Sequence, residues 1–206
     1  MLKIWGRLSS INVQKPVWCL DELGMPYERV DAGGQFGIVN TPEYRAKNPN
    51  GLIPTLEEDG LILWESNAIV RYLAAKRPEA GLWPSDPRHR ADVDRWMDWQ
   101  ATNATPGMRD VFWGLIRTPP EQRDEGAIRT SIEKSEAAAA ILEAHLAGRN
   151  YLTGHDFTAA DIVVGAHVHR WLNLPIERET RPNVEAWYAR LKARPGAQQI
   201  LQLPVT

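Results

Sequence analysis

The first third of the chain alternates short apolar runs with segments of helical periodicity. Residues 2–5 are a compact apolar-rich run that ends at Gly6, a pattern that predicts a buried strand. Residues 13–23 carry apolar side chains at helical spacing and predict a helix. Proline fits the start of a helix better than its interior, so Pro16 predicts that the first turn lies close to Asn12.

The same alternation continues to residue 77 and defines a mixed α+β unit. The further predicted elements are a strand at 27–30, a short helix opening at Thr41, strands at 55–58 and 61–63, and a helix at 65–76. The turn Glu58-Asp59-Gly60 joins the last two strands into a hairpin. The order β-α-β-α-β-β-α predicts a small mixed sheet covered by helices, because a β-α-β unit makes parallel strands and a hairpin makes antiparallel ones.

The remaining chain has a different texture and predicts an all-α bundle. Residues 78–87 are rich in proline and are interpreted as a linker between domains at 1–77 and 88–206. Helical periodicity then covers 88–115, 121–146, 158–172 and 182–192. Thr158 and Asp161 have the spacing of a capping box at the start of the third of these helices.

Composition and charge exclude several classes of protein. The 206 residues carry a net charge of -2, so there is no basic footprint for nucleic acid or for an anionic membrane. The single cysteine excludes a disulfide framework, and the five histidines offer no metal site, since His167 and His169 point to different faces of one helix. No apolar run is long enough to span a bilayer, and the first residues do not resemble a secretion signal. We therefore expect a soluble, cytoplasmic protein.

Chemistry-bearing residues first appear where the first strand meets the first helix. Ser9, Ser10 and Asn12 lie at the predicted helix N-terminus, where free backbone N–H groups and the helix dipole favour an anion. Ser and Asn are also the commonest helix caps, so this segment alone is more typical of a simple cap.

Two later segments add polar and backbone groups. Pro54 opens a predicted strand, and a cis peptide bond there would expose the backbone N–H and C=O of Ile53 to a ligand. Glu65 and Ser66 open the following helix and could bind an ammonium and a carboxylate. An ordinary turn and a helix cap are the alternatives for these two segments.

Taken together, the order and spacing of these segments resemble the glutathione S-transferase family. The matching motifs are Gly6-x-x-x-Ser-x-Asn-Val-x-Lys15, Asn48-Pro-x-Gly-x-x-Pro-x-Leu56, Glu65-Ser-x-Ala-Ile-x-x-Tyr-Leu73 and Phe157-Thr-x-Ala-Asp-Ile162. The resemblance covers nearly the whole chain and is nearest to bacterial serine-type, phi- or theta-like members. It implies a thioredoxin-like N-terminal domain, an all-helical C-terminal domain and a homodimer.

The resemblance also implies the residues that act on the thiol. Ser10, five positions before Lys15, would donate a hydrogen bond to the sulfur of glutathione, with Ser9 as its competitor and Asn12 as a second donor. Cys19 lies inside the helix and is interpreted as a packed side chain rather than a catalytic thiol.

The rest of the glutathione site follows from the same resemblance. The backbone of Ile53, before a cis-Pro54, would pair with the cysteinyl part of glutathione, and Glu65 and Ser66 would hold its γ-glutamyl end. The family's residues for the glycine carboxylate are not matched here, so that contact is undefined; Asn40, which occupies one of their positions, is a candidate.

The second substrate is expected against the helical domain. Met108, Phe112 and Trp113 form an apolar stripe that could contact a small hydrophobic electrophile or belong to the bundle core. The expected activity is conjugation of the glutathione thiolate to that electrophile, with glutathione as co-substrate and no cofactor. A glutathione-dependent peroxidase, dehalogenase or isomerase, and a non-catalytic glutathione- or ligand-binding protein, are the alternatives.

Overall fold

A computed structural model describes all residues from 1 to 206, and its N-terminal part is built on a four-stranded sheet. The strands are β1 (Lys3–Trp5), β2 (Glu28–Val30), β3 (Thr55–Glu58) and β4 (Leu61–Trp64). Their spatial order is β2-β1-β3-β4, with β1 and β2 parallel and the other neighbours antiparallel. The predicted mixed sheet is therefore confirmed.

The hairpin between β3 and β4 has the turn that the sequence predicts. Asp59 and Gly60 both have positive φ, at 48° and 89°, which is the backbone required by the two-residue turn that matches strand twist. The β1–β3 register pairs Ile4 with Leu56, and both side chains are fully buried. One face of the sheet is therefore buried in the hydrophobic core.

Three helices cover this sheet. They are α1 (Ile11–Glu22), α2 (Pro42–Lys47) and α3 (Ser66–Lys76). Helices α1 and α3 pack against each other, and their apolar side chains share a core with Ile4 and Leu56. Tyr44 of α2 packs edge-on against Trp5, with ring centroids 6.1 Å apart. The element order and the sheet are those of a thioredoxin-like domain.

Helix α1 begins slightly earlier than its sequence predicts. Ser10 is the residue before the first turn, so Pro16 falls in the second turn, where its ring nitrogen provides no N–H for the Asn12 carbonyl. The helix continues through this defect because its residues from Val13 to Leu20 are buried between other elements. Tertiary packing outweighs one lost hydrogen bond.

The C-terminal part is entirely helical. Its helices are α4 (Pro87–Trp99), α5 (Thr105–Phe112), α6 (Glu125–Leu146), α7 (Ala159–Leu172), α8 (Pro182–Lys192) and the short α9 (Gln198–Leu201). The predicted single helix over 88–115 is interrupted by wide π turns at Gln100–Ala104 and Trp113–Arg117. Pro106 follows the first π turn and lacks an N–H, a common cause of such distortion.

The start of α7 confirms the predicted capping box. The Thr158 N–H donates to Asp161 Oδ2 at 2.9 Å, and the N–H of Leu152 donates to Asp161 Oδ1 at 2.9 Å. The Trp187 indole N–H donates to the same Oδ1 at 2.9 Å, so this fully buried carboxylate also reaches α8. Asp161 therefore joins three segments of the helical domain.

The two domains share one hydrophobic core. Trp18 of α1 is fully buried and lies against Gly165 of α7, where an added Cβ would approach its ring to 3.0 Å and Leu191 Cδ1 to 2.6 Å. Only a glycine allows this close approach of helix and indole. None of the helices is both long and apolar enough to cross a lipid bilayer.

Candidate active site

The N-terminus of α1 presents unpaired hydrogen-bond donors. Ser10 precedes the first turn with φ of -89° and ψ of 122°, and its hydroxyl makes no capping hydrogen bond. The N–H groups of Ile11 and Asn12 have no backbone acceptor. A free hydroxyl beside free N–H groups at a helix N-terminus is a suitable environment for an anion.

A narrow groove of about 140 Å³ lies next to this terminus and gathers the other two segments. Ile53, Pro54, Glu65 and Ser66 all line it, together with Asn12. The Ile53–Pro54 peptide bond is cis, as the sequence predicts. The N–H and C=O of Ile53 make no hydrogen bond within the chain, so an extended ligand can pair with both.

The junction of β4 and α3 sets the polar end of this groove. Glu65 has a φ of 72°, which is strained for a residue with a side chain and typical of functional sites. Its carboxylate is exposed and forms no ion pair, while Ser66 is buried at the first position of α3. The Ser66 hydroxyl donates to Asn12 Oδ1 at 3.5 Å, which connects this junction to α1.

A larger cleft of about 420 Å³ opens between the domains on the other side of Ser10. Ser9 and Ser10 line one wall, and Met108, Phe112 and Trp113 line the opposite one. Met108 and Phe112 also belong to a small buried cluster of the helical domain. These two side chains therefore contribute both to the bundle core and to the wall of the cleft. Asn12 lines both the groove and the cleft and therefore marks their junction.

Two other sequence candidates lie outside these cavities. The amide oxygen of Asn40 accepts a hydrogen bond from Arg45 Nη2 at 2.9 Å, and Asn40 does not line the groove. Asn50, which was not predicted, does line it. Cys19 is fully buried in α1, where burial raises the pKa of its thiol well above the ordinary value. It is a packed side chain, as predicted.

Lys15 lies beneath the groove in a buried polar network that joins the domains. Its Nζ donates to Gln100 Oε1 at 2.9 Å and to Asn67 Oδ1 at 3.1 Å, and it lies 3.4 Å from Ser66 Oγ. No carboxylate pairs with it. Burial, followed by repulsion from Arg170, lowers the pKa of Lys15 to about 7, although Glu65 opposes the shift.

This burial predicts a pH-dependent stability. Between about pH 7 and 10 the unfolded chain holds a proton on Lys15 that the folded chain lacks, so stability rises with pH by up to about 1.4 kcal/mol per unit. Chemical denaturation of the wild type and of Lys15→Met from pH 7 to 9.5 measures the difference. We expect the free energy of unfolding of the wild type to increase relative to that of the variant as pH rises. If the two free energies change with pH in parallel, the lowered pKa of Lys15 is contradicted.

Comparison with known proteins identifies the family. Residues 1–75 match the N-terminal domain model of glutathione S-transferases, and residues 122–190 match the C-terminal domain model. The chain is 41% identical to glutathione S-transferase GstB of Escherichia coli K12 over the full length of both proteins. The chain belongs to the glutathione S-transferase family. A rice relative, probable glutathione S-transferase GSTF2, is 32% identical over 98% of this chain and 96% of its own.

Solved glutathione S-transferases have the same structure. The theta class enzyme of Xanthomonas axonopodis pv. citri, solved with glutathione bound, superposes with a TM-score of 0.96. It is 45% identical and covers all of this chain and 99% of its own. A Burkholderia graminis glutathione transferase, solved with two glutathione molecules bound per subunit, has a TM-score of 0.87 at 27% identity, covering 98% of this chain and 88% of its own. The expected family is thereby confirmed.

Sequence reasoning missed the cationic residues of this transferase's cleft. Arg7, Arg109, Arg117 and Arg170 line it together with the predicted apolar side chains. A signal for two of them is present, because Arg109, Trp113 and Arg117 recur every four residues and share a helical face. Arg7 and Arg170 come from other segments, and only the folded chain brings them to this cleft.

Proposed function

We propose that this glutathione S-transferase binds glutathione in the groove and joins its thiolate to a small electrophile held in the cleft. The observation that carries the proposal is that two cavities meet at Asn12. The groove contains unpaired backbone groups and an acidic side chain, and the cleft contains unpaired hydroxyls. In that arrangement Ile53 pairs with the cysteinyl backbone of glutathione. Glu65 holds the γ-glutamyl ammonium, and Ser66 holds the neighbouring carboxylate at the N-terminus of α3.

Ionisation of the thiol is the chemical step that the site must assist. A thiol with a pKa near 8.5 is only about 3% thiolate at pH 7, and the thiolate is the nucleophile. Lowering that pKa by two units requires about 2.7 kcal/mol of preferential stabilisation of the anion. A hydroxyl hydrogen bond to a charged acceptor supplies about 1.5–3 kcal/mol, and a helix dipole adds about 0.3–1 kcal/mol.

These magnitudes assign Ser10 a role as donor rather than base. The Ser10 hydroxyl and the α1 terminus suffice together, with Asn12 or Ser9 as a further donor. The thiol proton passes to solvent, the thiolate attacks the electrophilic carbon, a C–S bond forms, and the leaving group departs with its electron pair. Met108, Phe112 and Trp113 contact the apolar body of the electrophile.

The domain organisation, oligomeric state and location that we propose for the enzyme are those expected of the family. We propose domains at 1–77 and 88–206 with a linker at 78–87, a homodimer and a cytoplasmic location. The domain boundaries are supported by α3, which ends at Lys76, and by α4, which begins at Pro87.

Calorimetric titration with glutathione, followed by a conjugation assay with a generic aryl halide, tests the function. We expect Glu65→Gln to weaken glutathione binding by roughly fivefold, because the ammonium loses a partly solvated ion pair worth about 1 kcal/mol. The matched control is Glu121→Gln, an exposed acid distant in sequence that lines neither cavity, which should leave the binding unchanged.

Three results would contradict the proposal. Absence of heat on titration of the wild type would mean that the groove does not bind glutathione. Equal affinities for the wild type and Glu65→Gln would remove the assigned role of this carboxylate. Binding without turnover of the aryl halide would indicate a binding protein rather than a transferase.

A further inference from the structure

The interdomain cleft concentrates positive charge. The arginines that line it are Arg7 from the β1–α1 loop, Arg109 from α5, Arg117 from the following π turn and Arg170 from the end of α7. No aspartate or glutamate lines the same cleft. Four guanidinium groups from separate segments thus converge on the cavity that also contains the Ser10 hydroxyl.

Three of these four arginines lack the partners that arginines have elsewhere in the chain. Arg7, Arg109 and Arg170 form no ion pair, whereas Arg29, Arg71, Arg181 and Arg194 each pair with a carboxylate. The guanidinium groups of Arg7, Arg109 and Arg170 donate no hydrogen bond within the chain. Arg117 Nη2 donates to an oxygen of Thr206, the last residue of the sequence, at 2.5 Å. The cleft therefore holds many N–H donors without acceptors.

An aromatic ring holds two of these groups in place. The Arg170 guanidinium lies 3.9 Å from the centroid of the Phe112 ring, and that of Arg117 lies 5.5 Å from the same centroid. Stacking of this kind restrains a guanidinium while leaving its N–H edge free for a ligand. The ring also supplies an apolar surface for the body of that ligand.

The positive charges repel one another. Burial, then Arg117 and Arg7, lower the pKa of Arg170 to about 10. Burial and Arg117 likewise lower the pKa of Arg7. An anion in the cleft would relieve this repulsion, whereas a neutral ligand would leave it in place. A guanidinium fork matches the two oxygens of a carboxylate in particular.

We propose that the electrophile of this enzyme carries a carboxylate, which Arg170 and Arg7 bind with help from Arg109 and Arg117, while its reactive carbon faces the thiolate beside Ser10. The inference rests on the proposed function and specifies its substrate class. The thiolate attacks the carbon, the new C–S bond replaces the bond to the leaving group, and the carboxylate remains bound through the reaction. Phe112 and Trp113 contact the uncharged part of the same molecule.

A matched pair of electrophiles tests this substrate class. The probes are 4-(chloromethyl)benzoate and 4-(chloromethyl)benzamide, which have the same shape and lose chloride in the same way but differ in charge. The measured quantity is the ratio of their kcat/KM values, each divided by the uncatalysed rate with glutathione. We expect the ratio of benzoate to benzamide to be roughly ten or more in the wild type. The reason is that hydrogen bonds to a charged group are stronger than those to a neutral one.

Variants then assign the preference to the arginines. Arg170→Gln and Arg7→Gln should each lower the ratio by roughly tenfold, and Arg109→Gln, at an exposed position that a glutamine fits, should lower it by a smaller factor. The matched control is Arg88→Gln, an exposed and unpaired arginine at the start of α4 that does not line the cleft. It removes one positive charge and should leave the ratio unchanged.

The outcomes separate this inference from the proposed function. Turnover of both probes with a ratio near one in the wild type, or a ratio that no cleft variant changes, would overturn the anionic substrate while leaving the transferase intact. Failure of glutathione to bind would overturn the proposed function itself. If Arg170→Gln does not fold by circular dichroism, Arg7→Gln and Arg109→Gln still decide the question.

Discussion

Replacing Ser10 with alanine is expected to raise the pKa of the bound glutathione thiol by about one to two units. The reason is the loss of one hydroxyl donor to a charged acceptor, about 1.5–3 kcal/mol, where one pKa unit corresponds to about 1.4 kcal/mol. The thiolate absorbance of the enzyme–glutathione complex, followed against pH, measures this shift. At pH 6.5 the variant should lose roughly five- to fiftyfold in kcat/KM, because its thiolate fraction falls by that factor from about one half.

Ser9→Ala is the matched control because Ser9 lines the same wall of the cleft. Ser10 stands directly before the first turn of α1, so its hydroxyl is the one aligned with the helix terminus. We expect Ser9→Ala to change the thiol pKa by less than half of the Ser10→Ala shift. A larger shift in Ser9→Ala would transfer the donor role to Ser9. An unchanged pKa in both variants would leave Asn12 and the backbone as the donors.

Removal of the Asp161 carboxylate is expected to cause the largest loss of stability. This fully buried group accepts the N–H of Leu152, the N–H and hydroxyl of Thr158, and the indole N–H of Trp187. Asp161→Ala leaves these donors buried without an acceptor and also removes the cap of α7. We expect a loss of about 3–5 kcal/mol in the free energy of unfolding, which corresponds to about 6–20 °C in Tm.

Thermal unfolding followed by circular dichroism measures this effect. Asp156→Ala is the control, since Asp156 lies in the loop that precedes α7, is exposed and makes no hydrogen bond. Its Tm should change by less than about 2 °C, as is usual for an exposed substitution. A drop in Tm of similar size for both variants would contradict the special role of the buried carboxylate.

The parts of the fold that depend on local chemistry could be predicted from the sequence. The Asp59-Gly60 turn and the Thr158–Asp161 cap are specified by a few adjacent side chains, and the structure has both. The start of α1 was predicted too late, because Pro16 is permitted in the second turn by packing that a local pattern does not contain. The π turns before and after α5 also depend on packing between helices.

The residues of the candidate site likewise fall into those that local motifs predict and those that only the folded chain brings together. Ser10, Ile53, Glu65 and Ser66 follow short motifs at the ends of strands and helices, and the structure places all of them around two adjoining cavities. The convergence of Arg7 and Arg170 on the cleft could not be predicted, because these two residues are far apart in sequence and only the folded chain brings them together. Asn40 was predicted because it occupies a position that holds the glycine carboxylate in related transferases, and the structure pairs it with Arg45 outside the groove.

The contact of Trp18 with Gly165 limits how this enzyme can be recombined with its relatives. An indole on one domain lies in a gap on the other that only a residue without a side chain leaves open. A chimaera that takes its first domain from one transferase and its second from another would have to inherit both members of this contact. A mismatch would produce either a void or a collision in the middle of the shared core, each with a cost of several kcal/mol. The two domains therefore constrain each other's evolution at a point remote from the chemistry.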